Sequence, residues 1–402
     1  MAKLKGYAVI GQSGGPTCVI NQSLVGVITE CKKHPEIRGL YGAVEGVRGI
    51  LREQFLDLFR ESEATLKLVA QTPGAGLKSV RKKPTEDECG QMFDIFKKYD
   101  VRYFFYIGGN DSAESANIIN QLARQQDYEM HVFHIPKTID NDLLVTDHCP
   151  GYGTAARFVA GAVMGDDLDN QSLPGIKIDV IMGRNAGWLT ASSRLARQYE
   201  GAGPHLIYVP ERPFHIKSFL ADVDRVYKTY ARCMVAVSEG IADEHEQPIF
   251  QSKEADAFGN MQLSGSGALG DFLVAEIKAN LGAKLRVRSD TFGYLQRSFP
   301  GFASEVDARE ARQVGVHAVR FATKGTDIDG SVAIRRIPGD DYAVEYFLTP
   351  LQSVARQTKE LPLEYVNADN NDIADAFVDY ALPLVGKLPE VGRFRGYPVK
   401  KK

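Results

Sequence analysis

Residues 136–142, Pro-Lys-Thr-Ile-Asp-Asn-Asp, put Asp140 and Asp142 two positions apart with Lys137 just upstream. Closely spaced carboxylates suit a divalent cation and a proton transfer, one acid addressing the metal while the other acts as base. If the segment is extended, Thr138, Asp140 and Asp142 project the same way. Two acids that close resist joint ionisation unless a cation such as Lys137 is near. The ordinary alternative is an Asx-rich surface turn. Upstream, Gly108-Gly109-Asn110-Asp111-Ser112 offers small residues, two oxygen-bearing side chains and a following helix whose amino end attracts anions. Its alternative is a turn with Ser112 as helix cap.

Further groups of the same kind recur along the chain. Gly11-Gln12-Ser13-Gly14-Gly15-Pro16 is a glycine-rich turn that can present backbone N–H groups to phosphate, or a plain strand-to-helix turn. It matches neither GxGxxG nor GxxxxGK[ST], so neither a dinucleotide site nor a P-loop follows. Arg81 comes after a turn containing Gly74 and Gly76, and Arg184 follows Met182-Gly183; both are guanidinium groups suited to phosphate. Ser238-Glu239-Gly240 offers a carboxylate for sugar hydroxyls. Arg288 and the run Thr-Phe-Gly-Tyr-Leu-Gln-Arg at 291–297, with Tyr294 and Arg297, add two more arginines. Each also suits a purely structural role, but together they favour a phosphoryl-transfer site. The eight histidines are scattered, make no HExxH, and read as structural or surface groups.

The elements that must carry these residues alternate. Strands are predicted at 7–10, 39–44, 101–107, 131–135, 176–182, 205–209, 234–238, 331–337 and 342–347. The run at 101–107 is nearly all apolar and aromatic, as expected of a strand buried on both faces. Ile20, Leu24, Val27, Ile28 and Cys31 mark a helix by their spacing. Thr85 with Glu88 reads as a capping box. Other helices are predicted at 112–125, 218–232, 267–281 and 305–322, and the tail from Lys387 reads as basic and poorly ordered. Such alternation means an α/β protein with largely parallel sheets covered by helices on both faces. At 402 residues two such units are expected, and without a linker-like stretch the chain should cross between them more than once.

Net charge is −3 with both signs mixed, so nothing points to nucleic acid. Five cysteines without a CxxC argue against a disulfide framework or zinc knuckle and fit a reducing cytoplasm. The start carries no signal-peptide core, and no apolar run approaches the ~20 residues of a membrane span.

Taken in order, Gly14-Gly15-Pro16…Asn21, Gly108-Gly109-x-x-Ser112, Thr138-Ile139-Asp140-Asn141-Asp142, Met182-Gly183-Arg184, Glu239-Gly240 and Gly293-Tyr294-Leu295-Gln296-Arg297 resemble the phosphofructokinase family. The similarity runs from about Tyr7 to Arg297 and more weakly beyond. It implies two Rossmann-like three-layer αβα domains. One, residues 1–151 with about 296–348, would serve the phosphoryl donor; the other, about 152–295 with 349–402, would serve the sugar phosphate. The active site would lie between them. Asp111 and Lys137 stand where ATP-using members carry glycine, and so resemble the diphosphate-using branch. A carboxylate at 111 would repel a nucleotide's α-phosphate, and Lys137 would supply an ammonium to a small, highly charged donor. The implied reaction phosphorylates the 1-hydroxyl of fructose 6-phosphate reversibly, giving fructose 1,6-bisphosphate and phosphate.

The resemblance also implies roles. Asp140 is similar to the family's general base, with Lys137 and Arg184 on the transferring phosphoryl. Gly14, Gly15, Arg81, Asp111 and Lys137 would line the diphosphate site. Asn110 and Asp142 would address Mg²⁺. Thr138, Met182, Gly183, Glu239, Arg288, Tyr294 and Arg297 would contact fructose 6-phosphate. In relatives one such arginine comes from a neighbouring subunit, which implies a homodimer or homotetramer. Three positions depart from the family pattern: Asn110 replaces the usual Asp, Gly175 replaces an upstream arginine, and Ser298-Phe299-Pro300 follows Arg297. The last opens preference for a larger acceptor such as sedoheptulose 7-phosphate, and Asn110 opens a non-catalytic regulatory subunit of the same fold. A nucleotide-binding oxidoreductase lacks its glycine fingerprint.

Overall fold

The computed structural model describes residues 4–250, 267–325, 329–355, 358–396 and 398–401. In chain order its strands are β1 (Gly6–Gln12), β2 (Ile37–Ala43), β3 (Phe55–Asp57), β4 (Val101–Gly108), β5 (His131–Pro136), β6 (Ile176–Ile181), β7 (Leu206–Tyr208), β8 (Cys233–Ser238), β9 (Val287–Thr291), β10 (Gly330–Ile337) and β11 (Ala343–Thr349). They form two sheets, β11-β10-β5-β4-β1-β2-β3 and β7-β8-β6-β9. The second is parallel throughout. The first is parallel except for its edge strands β3 and β11.

Hydrophobic pattern explains which strands lie inside. In β4 every residue from Tyr103 to Gly108 is buried, as are all six residues of β6 and of β8. A strand without alternation needs cover on both faces. On the first sheet, Ile20, Leu24 and Ile28 of the helix Ile20–Cys31 join Val314, Ala318 and Val319 of the helix Glu305–Ala322 on one face. Phe93 and Phe96 of the helix Glu86–Lys98 and Ile119 of the helix Asn110–Gln125 lie on the other. The helices Ile20–Cys31 and Glu305–Ala322 touch backbone to backbone, since a Cβ on Gly26 would stand 2.3 Å from the Arg312 carbonyl oxygen. On the second sheet, the helix Tyr152–Ser172 packs with Phe377 and Ala381 of the helix Asp375–Val385.

The predicted strands form with ends within two residues of expectation, and the Thr85–Glu88 capping box is present. Strands β3 and β9 and the helices Glu63–Gln71, Tyr152–Ser172 and Asp375–Val385 fall outside the predicted set. β9 reads Val-Arg-Ser-Asp-Thr, too polar to signal a strand, and is recruited by its register with β6. The expected tail from Lys387 has no helix or strand among its described residues.

Candidate active site

The candidate residues gather at the carboxyl ends of the parallel strands, where open α/β sheets place ligands. At the end of β1, Gly14 has φ +76°, and the Gly15 carbonyl accepts from Lys137 Nζ at 2.6 Å. A Cβ on Gly15 would lie 2.6 Å from Arg297 Nη1 and 3.8 Å from Arg81 Nη2, so glycine lets two guanidinium groups approach this backbone. Three cations thus meet at one loop. Burial, then the neighbouring Arg297 and Arg81, pull the Lys137 ammonium down to about 8, against the opposing pull of Asp140 and Asp142. Burial and Arg81 likewise lower Arg297. Crowded positive charge of this kind is relieved by an anion.

Beside the cations stand the two acids. Burial raises the Asp140 carboxyl well above the usual range, and Asp142 and Glu239 raise it further. Burial raises Asp142 as well, while the Thr138 hydroxyl holds it back. The segment is not the extended strand that alternation suggested. The Asp140 N–H donates to Thr138 Oγ1 at 3.1 Å, and Asn141 has φ +56°, which makes 138–142 a turn. Asn141 pins that turn: its Nδ2 donates to Tyr380 Oη at 2.8 Å and its Oδ1 accepts from the Cys149 N–H at 2.9 Å. Asn110, at the head of the helix Asn110–Gln125, donates from Nδ2 to Asp142 Oδ2 at 3.5 Å, and its Oδ1 is buried with no protein partner. An unpaired amide oxygen beside a carboxylate is a donor set that fits a hard cation such as Mg²⁺.

The second sheet closes the site from the other side. Ser238 Oγ donates to the Gly183 carbonyl at 2.5 Å, and a Cβ on Gly240 would stand 2.0 Å from the Arg184 carbonyl oxygen. The loops after β6 and β8 are therefore interlocked, with Glu239 buried between them and within electrostatic range of Asp140 and Arg297. Arg297 lies under the Tyr294 ring, 4.5 Å from its centroid. Gln296, buried, accepts from the Met182 N–H at 3.2 Å and donates to the Gly293 carbonyl at 2.9 Å.

The sequence profile of the phosphofructokinase family, described as "Phosphofructokinase", matches residues 7–322. The chain belongs to the phosphofructokinase family. It is 50% identical over 402 residues to a pyrophosphate–fructose 6-phosphate 1-phosphotransferase of Rhodospirillum rubrum, covering 99% of this chain and 98% of that protein. A protein of the same name from Xanthomonas campestris is 38% identical over 395 residues, covering 96% and 93%. The crystal structure of a pyrophosphate-dependent phosphofructokinase from Marinobacter aquaeolei superimposes with a TM-score of 0.85 at 32% identity, covering 98% of each chain.

Of the residues singled out by the resemblance, one stands apart. Arg288 lies on β9 opposite Lys177, roughly 10 Å before the strand's end at about 3.3 Å per residue. Its Nη1 binds Asp169 Oδ2 at 3.0 Å, so within one chain it does not reach Asp140. Asp111 is exposed in the first turn of its helix, next to Asn110. A second carboxylate group is made by Asp166, Asp179 and Asp290, with Asp179 and Asp290 paired two residues beyond Lys177 and Arg288 along β6 and β9. Lys177 pairs there with Asp290 and, at 3.3 Å, with Asp166, so one ammonium offsets part of the charge of that group, while burial and Asp166 hold the Asp179 carboxyl well above the usual range.

Two residues of the site escaped sequence reading. Gln296 lies inside a recognised motif, but nothing in its type announces a brace. His134, counted among structural histidines, lies under the donor loops: Nε2–H donates to the Gly108 carbonyl at 2.8 Å and Nδ1 accepts from Ser331 Oγ at 2.8 Å. The same carbonyl accepts from the Lys137 N–H at 3.0 Å.

Proposed function

We propose that this chain is a diphosphate-dependent phosphotransferase that phosphorylates fructose 6-phosphate on its 1-hydroxyl, reversibly, giving fructose 1,6-bisphosphate and phosphate. The observation that carries the reading is the buried Lys137 ammonium, held on the Gly15 carbonyl between Arg297, Arg81 and Asp140. A small, highly charged donor neutralises that cluster. Asp111 at the helix head disfavours a nucleotide's additional phosphate by like-charge repulsion.

In-line phosphoryl transfer asks mainly for positioning and charge neutralisation. Gly14, Gly15 and Arg81 bind the diphosphate, with Lys137 and Arg184 on the phosphoryl that moves. Thr138, Met182, Gly183, Glu239, Tyr294 and Arg297 orient the sugar. Asp140 accepts the 1-hydroxyl proton as the oxygen attacks phosphorus; its raised pKa matches a base that must release the proton again in the reverse direction. Asn110 and Asp142 would hold Mg²⁺, which when bound neutralises charge on the donor oxygens. The first sheet's side then serves the donor and the second sheet's side the sugar, in the division 1–151 with about 296–348 and about 152–295 with 349–402. A homodimer or homotetramer in the cytoplasm completes the reading, with Arg288 reaching a neighbouring subunit's sugar phosphate. No helix among the described residues is long and apolar enough to cross a membrane.

The deciding experiment offers purified protein diphosphate or ATP, each with Mg²⁺ and fructose 6-phosphate. Turnover with diphosphate and little with ATP is expected; ATP as the better donor overturns the reading. Sedoheptulose 7-phosphate in the same assay ranks the acceptors by kcat/KM. Sedimentation of a species at the single-chain mass of 44.3 kDa would remove the oligomer.

A further inference from the structure

Arg81 brings its guanidinium beside Gly15 from an exposed position, and the backbone that carries it sets where that side chain starts. Buried amides tie that backbone down. Gln12 Nε2 donates to Asn21 Oδ1 at 3.1 Å, and Gln12 Oε1 accepts from the Leu77 N–H at 2.9 Å. Asn21 Oδ1 also accepts from the Gly76 N–H at 2.8 Å, while its Nδ2 donates to the carbonyls of Thr72 at 2.9 Å and Gly74 at 2.8 Å. Further along, Ser79 Oγ donates to the Gly14 carbonyl at 2.6 Å, and the Gly14 N–H donates to the Val80 carbonyl at 3.1 Å. Ser13 and Val80 form a β-bridge. The turn leading to Arg81 is therefore fastened, bond by bond, to the strand and loop that end in Gly15.

There is an electrostatic reason for such fastening. Arg81, Arg297 and Lys137 repel one another. Before an anion arrives, that repulsion favours Arg81 swinging into water, and a long side chain on a loose turn would do so. Gln12 and Asn21 are buried, so their amide bonds are not traded for water as surface bonds are.

We infer that Asn21, together with Gln12 and Ser79, is a positioning residue for the phosphoryl donor: it locks the 72–81 turn to the glycine loop and so holds Arg81 in the anion site against the repulsion of Lys137 and Arg297. This rests on the reading of Arg81 as a diphosphate ligand. Asn21 touches no substrate and acts through Arg81.

The test is a set of mutant cycles on the purified full chain, with diphosphate, fructose 6-phosphate and Mg²⁺. Ser79→Ala, which removes one hydrogen bond, is expected to raise the KM for diphosphate about fivefold. Asn21→Ser, which removes several, is expected to raise it by roughly 30-fold or more. The KM for fructose 6-phosphate should stay within about twofold in both, as the bonds lost all lie on the donor side. On an Arg81→Ala background both substitutions should lose most of their effect, because residues acting through one group are not additive. If Arg81→Ala raises the diphosphate KM and the second substitutions add in full, the positioning role is wrong and the reading of Arg81 stands. If Arg81→Ala leaves that KM unchanged, the reading of Arg81 falls and takes the inference with it. Equal rises in both KM values would mark a general loss of structure and also overturn it. Should Asn21→Ser fail to fold, Ser79→Ala carries the cycle alone.

Discussion

The carboxyl ends of the two sheets meet at Asp140 but present different kinds of surface. The first sheet's side is dense and charged: Lys137 is 3% exposed, its ammonium bonds to a backbone carbonyl, and two arginines press against the same glycine. The second sheet's side is looser. Glu239 is buried, but Tyr294 and Leu295 are about half exposed, and Arg288 is held away by Asp169. Preorganised charge is worth most where charge is greatest and the ligand smallest, since the cost of gathering cations is then met before binding. A sugar phosphate has more shape and less charge density, and can be read by fewer fixed groups. Such a difference would let one scaffold hold a strict donor while leaving room for its acceptor to vary.

The largest effect should come from the residue that belongs to both sides. Asp140→Asn keeps shape and removes the base. A fall in kcat of roughly 10²- to 10⁴-fold is expected, with both KM values little changed, read from steady-state kinetics with each substrate varied. A loss confined to the binding of one substrate would assign Asp140 to that side alone. Because burial, Asp142 and Glu239 raise its pKa, the acidic limb of wild-type kcat/KM should lie above the ordinary carboxylate range. Activity is then present above that limb and lost as pH falls through it.

A pair of substitutions separates the two sides more directly. Lys137→Met should lower kcat by roughly 10²- to 10³-fold and weaken diphosphate, leaving the KM for fructose 6-phosphate within about twofold because its cation is lost from the donor side only. Glu239→Gln should do the reverse, raising the fructose 6-phosphate KM by about tenfold, the scale of one lost charged hydrogen bond, with the diphosphate KM unmoved. Crossed effects of equal size would erase the distinction between the two sides.

The same contrast governs what could be read from the sequence. The first sheet's loops announce themselves together, because glycines beside Asp, Asn and Lys recur at the ends of successive apolar runs, although each alone also suits a turn. β1, β4 and β5 are short, mostly apolar runs bounded by turn residues, as buried parallel strands are. The second sheet hides more. β9 is polar, and its position depends on pairing with β6, which no local pattern encodes. The resemblance assigns Arg288 to the sugar phosphate, yet its place on β9 and its bond to Asp169 depend on partners far along the chain. Alternation at 138–142 suggests an extended segment, but Thr138 supplies a side-chain acceptor to the Asp140 N–H, a local bond that competes with the strand and makes a turn. Gln12, Asn21 and Gln296 are likewise braces whose partners lie far along the chain.

The smallest expected effect is on stability, and it tests how rigid the floor of the donor side is. His134 is fully buried, and burial keeps its imidazole down at about 4 against an ordinary value of 6.5. The unfolded chain therefore binds a proton in the window where the folded chain does not. Stability is unaffected above pH 6.5 and falls as pH drops from there towards 4, by about 2 kcal/mol between pH 7 and pH 5. Just before β7, His205 is also lowered to about 4, but it is only partly buried, so solvent screening reduces its share. Urea unfolding of the wild type, His134→Asn and His205→Asn at the two pH values measures the difference. His134→Asn should remove more of the pH dependence than His205→Asn, whose site lies at the amino end of the second sheet; equal losses would mean that His134, buried beneath the donor loops, is no more costly to protonate than His205.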